Sequence, residues 1–352
     1  MRTTEWYGCT FRAGRTRRRA RSLRAAYDIR APHGVPQSIG KVSEPSLTVR
    51  LHGDGDGRHS HHQRTHLRCI EEIFTFAQST ARGKCVRFRI CIPVRSQSKS
   101  WPMKSSFPPV LLPSCITVSD NSVSLKDEKS RIDHTLESIE KWLAISADMK
   151  LVICDGSNFD FSSITTCAFP DANIECLSFR NSSNLVALYG KGYGEGEIIN
   201  FAISNSRYIA ESDYFAKCTS KLWVENYAEC LAGWNEKFLC HGFFENVFSF
   251  RRTHFSYIDT RFFLTNKEFY KQHFALAYLR LTNKQGLSIE HHFKEIIIEN
   301  HLERILLSLP PVICGVGGGS GFYYKNNLKR RLKDRLRLHL VKIGPLFNPL
   351  FN

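Results

Sequence analysis

Residues Met149–Cys154 form an apolar run broken only by Lys150, and it stops abruptly at Asp155-Gly156-Ser157-Asn158. A strand that is apolar at consecutive positions, rather than at alternate ones, suits a parallel sheet covered on both faces. The neighbouring segments agree. Cys115–Ser119 is a short β-branched run that ends at Asp120-Asn121 and predicts a strand followed by a loop. Ser130 can cap a helix carrying Ile132, Leu136, Ile139 and Leu143 on one face. Ile174–Phe179 predicts another strand. The glycine-rich GKGYGEGE stretch follows, then a helix with Ile198, Ile199, Ala202 and Ile203 inward, and Tyr214–Val224 predicts a further strand. Alternating strands and helices imply an α/β domain with a mostly parallel sheet and a ligand site at the carboxyl ends of its strands.

The formal charge of +16 over 352 residues suggests a polyanionic partner. Its distribution argues otherwise. Residues 1–110 hold 21 Lys+Arg against 7 Asp+Glu, residues 111–324 hold 20 against 25, and residues 325–352 hold 8 against 1. The centre is mildly acidic, and the basicity belongs to the two ends. The first 110 residues also differ in kind, with 17 Arg to 4 Lys against 12 Arg to 16 Lys in the rest. They show no sustained periodicity and are expected to be disordered, because they bury too little apolar surface to offset ordering entropy. The abrupt shift in Arg/Lys usage equally fits a start codon assigned too early. The expected organisation is an arginine-rich extension over 1–110, one domain over 111–324 and a basic tail over 325–352.

The twelve cysteines contain no Cys-x-x-Cys pair, and several lie in apolar runs, as Cys154 does. Buried free thiols in a reducing compartment are the expectation, consistent with a cytoplasmic protein. His59, His61, His62 and His66 lack a paired second ligand set and make a poor metal site.

Gly190, Gly192, Gly194 and Gly196 alternate strictly, yet G-x-G-x-x-G fails in both registers because Glu195 or Glu197 stands at the third glycine. Carboxylates there would repel a pyrophosphate. They favour a helix start or could bond sugar hydroxyls. The segment is either a ligand-approaching loop that includes Lys191 or an ordinary flexible turn.

Taken in order, Ile116–Asp120, VICDGSNFD (152–160), GKGYGEGEIINFA (190–202), YFAKCTSKLWVEN (214–226), IDTRFF (258–263), LSIEHHF (287–293) and PPVICGVGGGSGFYY (310–324) resemble a group of bacterial glycosyltransferases of GT-A-like fold. Those proteins are associated with surface polysaccharide assembly. The likeness spans about 210 residues and leaves out 1–110. It implies a nucleotide-diphosphate sugar as donor and a carbohydrate or lipid-linked hydroxyl as acceptor. Two departures stand out. Family members tend to have Thr-Gly-Arg where this chain has Thr219-Ser220-Lys221, and a serine-containing loop where it has Gly317-Gly318-Gly319-Ser320. Lysine keeps the charge and loses the planar fork that grips phosphate.

Many GT-A enzymes place an Asp-x-Asp metal site at the central strand end. The matching Lys217-Cys218-Thr219-Ser220-Lys221 has no carboxylate. A divalent metal therefore stays open as a cofactor but has no Asp-x-Asp motif to hold it, and no other cofactor is indicated. On one strand Lys217 and Lys221 would share a face, and could stabilise a departing diphosphate in place of a metal. The competing reading is a pair of solvated lysines at a sheet edge. Glu290 opens a probable-helix pattern and resembles the catalytic carboxylate of related enzymes, with His291 placed to orient it; its other reading is a helix-start acid. Asp120, Asp155 and Thr219 are further donor-side candidates. Asp259, Arg261 and Ser320 are weaker ones for acceptor or phosphate, with a buried ion pair the alternative for the first two.

In the tail, Leu328, Leu332 and Leu336 recur at helical spacing among six basic residues over 329–337. This is either a solvated terminal helix or one that lies on the anionic inner face of a membrane. Two non-enzymatic classes also stand: a degenerate sugar-binding relative, and a nucleic-acid binder through the arginine-rich start, which lacks interleaved aromatics.

Overall fold

The computed structural model describes residues 69–74, 88–93, 107–118, 120, 123–249, 252–282 and 287–351. The chain divides into two units, Met1–Gln97 and Ser98–Asn352. In the first, β1 (Cys69–Phe74) pairs antiparallel with β2 (Phe88–Pro93), strands that the sequence did not lead us to expect. The expected disorder over the rest of 1–106, and His59, His61, His62 and His66, lie outside the described residues.

The second unit runs β3 (Val110–Ser114), α1 (Glu128–Ile145), β4 (Leu151–Asp155), α2 (Ser162–Ala168), β5 (Ile174–Ser178), α3 (Ser183–Tyr189), α4 (Lys191–Asn205) and α5 (Arg207–Ala210). It continues with β6 (Tyr214–Cys218), β7 (Leu222–Val224), α6 (Tyr227–Leu231), β8 (Phe238–Glu245), β9 (His254–Asn266) and α7 (Lys267–His273). The last elements are α8 (Ile289–Glu299), β10 (Ile313–Val316), β11 (Tyr323–Tyr324) and α9 (Leu328–Ile343). Six strands form one sheet in the order β5-β4-β3-β6-β9-β8. β5, β4, β3 and β6 are mutually parallel, and β9 reverses between β6 and β8, so the sheet is mostly parallel. The fold class is α/β, as the apolar runs indicated. A second sheet, β11-β10-β7, leans over the carboxyl end of β6.

Apolar side chains fill both faces of the main sheet. Leu111, Val152 and Phe215 pack with α4, α7 and α8, while Leu112, Ile153 and Ala216 pack with Trp142 of α1 and Tyr227 of α6. That two-sided burial is why β3 and β4 read as continuous runs rather than alternating ones.

Three expectations need correction. The first strand is Val110–Ser114, not Cys115–Ser119, so a boundary at 110/111 cuts the central strand. A proline inside a central strand removes a ladder hydrogen bond. The ladder with β6, however, covers only Val110 and Leu111, and Pro113 lies past its end. Tyr214–Val224 is two strands in two sheets, turned at Thr219-Ser220. The tail is no detached appendage, because Leu338, Val341 and Phe351 join the core and Arg337 donates to the Phe244 carbonyl at 3.0 Å.

The alternating glycines are not a loop either. Gly192, Gly194 and Gly196 lie inside α4. Residues two apart fall on nearly opposite sides of a helix, so the run splits between two neighbours. A Cβ on Gly192 would stand 3.1 Å from Ile289, and one on Gly196 would stand 2.3 Å from Tyr278. One on Gly194 would meet Asn181 at 2.8 Å, on the α3 side. Each glycine allows a close helix approach, and none is left free to receive a ligand. Gly196→Ala is therefore expected to destabilise the protein by about 1–3 kcal/mol through overpacking. A melting curve checks this, and an unshifted midpoint would contradict the packing role.

Candidate anion site at the strand ends

The carboxyl ends of β3, β4 and β6 meet below the loop that joins β10 to β11. Gly315, at φ +104°, lets β10 pass over the β6–β7 turn, where a Cβ would come within 2.2 Å of the Lys221 carbonyl. Beyond it, Gly317–Gly321 forms a tight turn closed by Ser320 and Gly321 amides donating to the Gly317 carbonyl. A Cβ on Gly318 would be 3.1 Å from Lys221 Cε and 3.7 Å from Arg131 Nη1, and one on Gly319 would be 2.5 Å from Lys191 Nζ. Three cations thus line one side of a bare backbone loop. Among the described residues the amides of Gly318 and Gly319 donate to no protein acceptor.

Lys221 is the unusual member. It is 2% exposed, its ammonium donates to Ser220 Oγ at 3.1 Å, and it makes no ion pair among the described residues. Burial, with Arg131 beside it, pushes its pKa down to about 7. Arg131 is itself buried on α1, which lowers its pKa, and it is held by the carbonyls of Cys115 and Leu125 at 2.7 Å each. The Asp155 carboxylate favours both charges but bonds to neither among the described residues, and one anion against two buried cations leaves the pair costly unless a further anion completes it. Ser114 adds a second unmet need. It is 2% exposed, its hydroxyl has no partner among the described residues, and strand alternation puts it on the α1 side with Val110 and Leu112. The Cys115 thiol is raised by burial and then by Asp155.

Asp155 sits at the tip of β4 and is fully buried. Its oxygens accept from Ile116 N (3.0 Å), Ser157 N (2.8 Å), Ser157 Oγ (2.6 Å) and Phe159 N (3.1 Å). It shapes the two loops that border the site. Asp120 accepts from Lys191 N at 3.0 Å, so the amino end of α4, marked by Gly190 at φ +84°, already has its anion. The segment read as a ligand-approaching loop or a flexible turn is therefore a helix start that a carboxylate already occupies.

Lys217 and Lys221 do not act as a pair. Lys217 lies in the central strand, fully buried, and is paired with Glu195 of α4. It also donates to the Thr260 carbonyl at 2.6 Å and to Thr219 Oγ1 at 3.4 Å. The turn after Cys218 carries Lys221 to the other environment, which corrects both the shared face and the sheet-edge alternative. Glu195 and Glu197 are likewise engaged inside the fold, the latter by Ser182 N at 3.1 Å. Thr260 Oγ1 donates to Glu290 Oε1 at 3.3 Å, which links Glu290 to the Lys217 group. Glu290 stands in the first turn of α8, half-buried. His291 does not orient it, since its Nδ1 is 2.9 Å from Ser288 Oγ; the buried His292 turns to Glu295 at 2.9 Å.

Arg261 grips Asp259 through two bonds of 2.8 and 2.6 Å, with Tyr324 under its guanidinium. Burial works against the Asp259 carboxylate, but Arg261 holds it below its ordinary pKa, and the arginine's own pKa is raised in turn. This is the ion pair that was the alternative reading. Ser320 is an exposed turn residue accepting from Phe322 N at 3.3 Å. Arg131 and Ser114 were missed in the sequence. A lone arginine in a first helical turn and a serine after a proline give no periodic signal.

The donor set does not suit a divalent cation. The β6–β7 turn offers hydroxyls and an ammonium, and the oxygens of Asp155 are taken. Among the described residues no group of three His, Cys, Asp or Glu side chains gathers. From Cys115 to Cys314 the cysteines are free thiols, with Cys154, Cys218, Cys230, Cys240 and Cys314 buried.

The sequence matches no family model and no curated protein. Solved structures align weakly. The inositol-1-phosphate CTP transferase from T. maritima aligns over 68% of this chain and 98% of its own, at 10% identity and TM-score 0.35. The 4-diphosphocytidyl-2C-methyl-D-erythritol synthase from Anaerococcus prevotii covers 66% and 96%, at 6% and 0.34. The bifunctional glycosyltransferase WbbM covers 68% and 45%, at 11% and 0.34. Likenesses this low carry no weight for function.

Proposed function

We propose that the second unit is a glycosyltransferase of the hexosyl-transferring kind, moving a sugar from a nucleotide-diphosphate donor to a hydroxyl on a carbohydrate or lipid-linked acceptor, as in polysaccharide or glycolipid assembly. One observation carries the reading: Lys221 and Arg131 are buried side by side with only Asp155, already bonded to its own loops, as counter-charge, under a glycine loop whose Gly318 and Gly319 amides meet no acceptor among the described residues, at the carboxyl ends of parallel strands. That is where an α/β sheet binds ligand, and a diphosphate supplies the missing charge. The motif resemblance supplies the sugar. When the glycosidic bond breaks, negative charge grows on the leaving diphosphate, and preorganised cations stabilise that growth without a metal. Glu290, half-buried near the same strand ends, takes the acceptor proton.

A panel of nucleotide-diphosphate sugars tested by thermal shift, with EDTA present throughout, decides the matter. One member is expected to stabilise the full chain by about 2.7 kcal/mol at a hundred times its dissociation constant. It should then be consumed when acceptor is added. Stabilisation by none, or only after Mn²⁺ or Mg²⁺ is restored, would overturn the metal-free site.

A further inference from the structure

Helix α9 has two apolar sides, and the fold uses only one. Leu338 and Val341 enter the core. At 3.6 residues per turn, Leu328, Leu332, Leu336, Leu340 and Ile343 line up on the opposite side. None of these five belongs to either core cluster, and the end members are 70% and 57% exposed. Lys329 and Lys333 lie along one edge of the row, and Arg335 stands at the other, 4.0 Å from Glu229. Residues 325–352 carry eight basic side chains against one acidic.

We infer that this outer face of α9 docks on an anionic phospholipid surface. The row is half-buried at Leu332, Leu336 and Leu340 and exposed at its two ends, so an apolar medium would cover what the fold leaves open, and long cationic stems beside it can reach lipid phosphates while their chains cover the row's margins. A second protein copy would cover the row equally well, but it would have to neutralise both cationic edges; a bilayer with anionic headgroups does so without a matched surface. Leu338 and Val341 hold the helix to the catalytic unit, so docking fixes the body relative to the membrane. Among the described residues no helix is long and apolar enough to cross one, so the contact is lateral. The inference does not depend on the donor reading, and it gives a lipid-linked acceptor a reason to be near the site.

The test is sedimentation of the full chain with vesicles of phosphatidylglycerol and phosphatidylcholine, compared with phosphatidylcholine alone. Binding is expected only to the mixed vesicles. Leu332→Asp/Leu336→Asp and Lys329→Glu/Lys333→Glu should each lower the bound-to-free ratio by about 10-fold or more. The basic first 110 residues are the same in every variant, so a loss reports on the helix. Melting temperature should hold in both, because neither pair touches the core. Unchanged binding in both variants would overturn the inference. So would a dimer in solution that Leu332→Asp/Leu336→Asp converts to monomer. Donor binding measured on the same variants separates this failure from failure of the transferase reading.

Discussion

Lys221→Met is expected to make the ligand-free protein more stable while weakening nucleotide-diphosphate binding by roughly 30–150-fold. The loss follows from removing one charge-assisted hydrogen bond, about 2–3 kcal/mol. The gain follows from the lysine's surroundings. Its pKa stands at about 7, below the ordinary lysine value, because burial and Arg131 penalise the charged form. Between those two values the unfolded chain binds more protons than the folded one, so wild-type stability climbs as pH rises above 7. Below pH 7 both states carry the proton and the full penalty is in force. Methionine keeps the unbranched shape and removes the charge, so the stabilisation should be greatest below pH 7, on the order of 2–5 kcal/mol, and fade towards the ordinary lysine pKa. Binding has the opposite pH sense. The anion needs Lys221 protonated, so wild-type affinity should weaken as pH rises past 7, and the variant should lack that dependence. Calorimetric melts and diphosphate titrations at pH 6, 7, 8 and 9 check both halves. A variant that is less stable at pH 6, or binds as well as wild type, removes Lys221 from the site.

A protein that retains such a residue gives up stability for function, and that trade explains what could be read from the sequence. The sheet was legible because burial on both faces leaves a run such as Leu151–Cys154 with nothing polar to interrupt it. The crossover helices were legible from their one-sided periodicity. Val110–Ser114 was not expected as a strand; its proline is tolerated because the ladder with β6 ends at Leu111, while pairing with β4 continues to Ser114. Lys217 and Lys221 could be singled out as cations in an apolar strand, but their partners lie elsewhere in the chain. Glu195 reaches Lys217 from 22 positions earlier, and Arg131 reaches Lys221 from a helix on the other face. No spacing rule connects them.

The glycines misled for a related reason. A strict alternation suggests a single ligand-facing surface only if the backbone is extended or looped. Wound into α4, the same residues face Tyr278 and Ile289 on one side and Asn181 on the other. The glycines that do approach the cations, Gly318 and Gly319, stand over a hundred residues later, in a loop that the sequence comparison had marked as a departure. The same substitutions make sense together. A bare glycine turn brings backbone amides close to Lys221, which lacks the bidentate fork of arginine.

Glu290→Gln separates chemistry from binding. The amide keeps the size and most hydrogen bonds of the carboxylate, including an oxygen for Thr260 Oγ1, but it cannot accept the acceptor's proton. Turnover is expected to fall by roughly 10²–10⁴-fold. Donor affinity should stay near wild type, because Glu290 belongs to the Lys217 group rather than to the Arg131–Lys221 seat. The competing role is electrostatic support of α8, whose cap residue Ser288 makes no side-chain capping bond. Loss of one acid in the first turn costs about 0.3–1 kcal/mol of stability and nothing in rate. Melting temperature, donor affinity and turnover, measured together on Glu290→Gln and Lys221→Met, give distinct signatures. Glu290→Gln should lose rate alone, and Lys221→Met should lose affinity and rate while gaining stability. A Glu290→Gln protein that melts slightly earlier and turns over at the wild-type rate would leave the proton to another group, with Asp259 held by Arg261 unable to take its place.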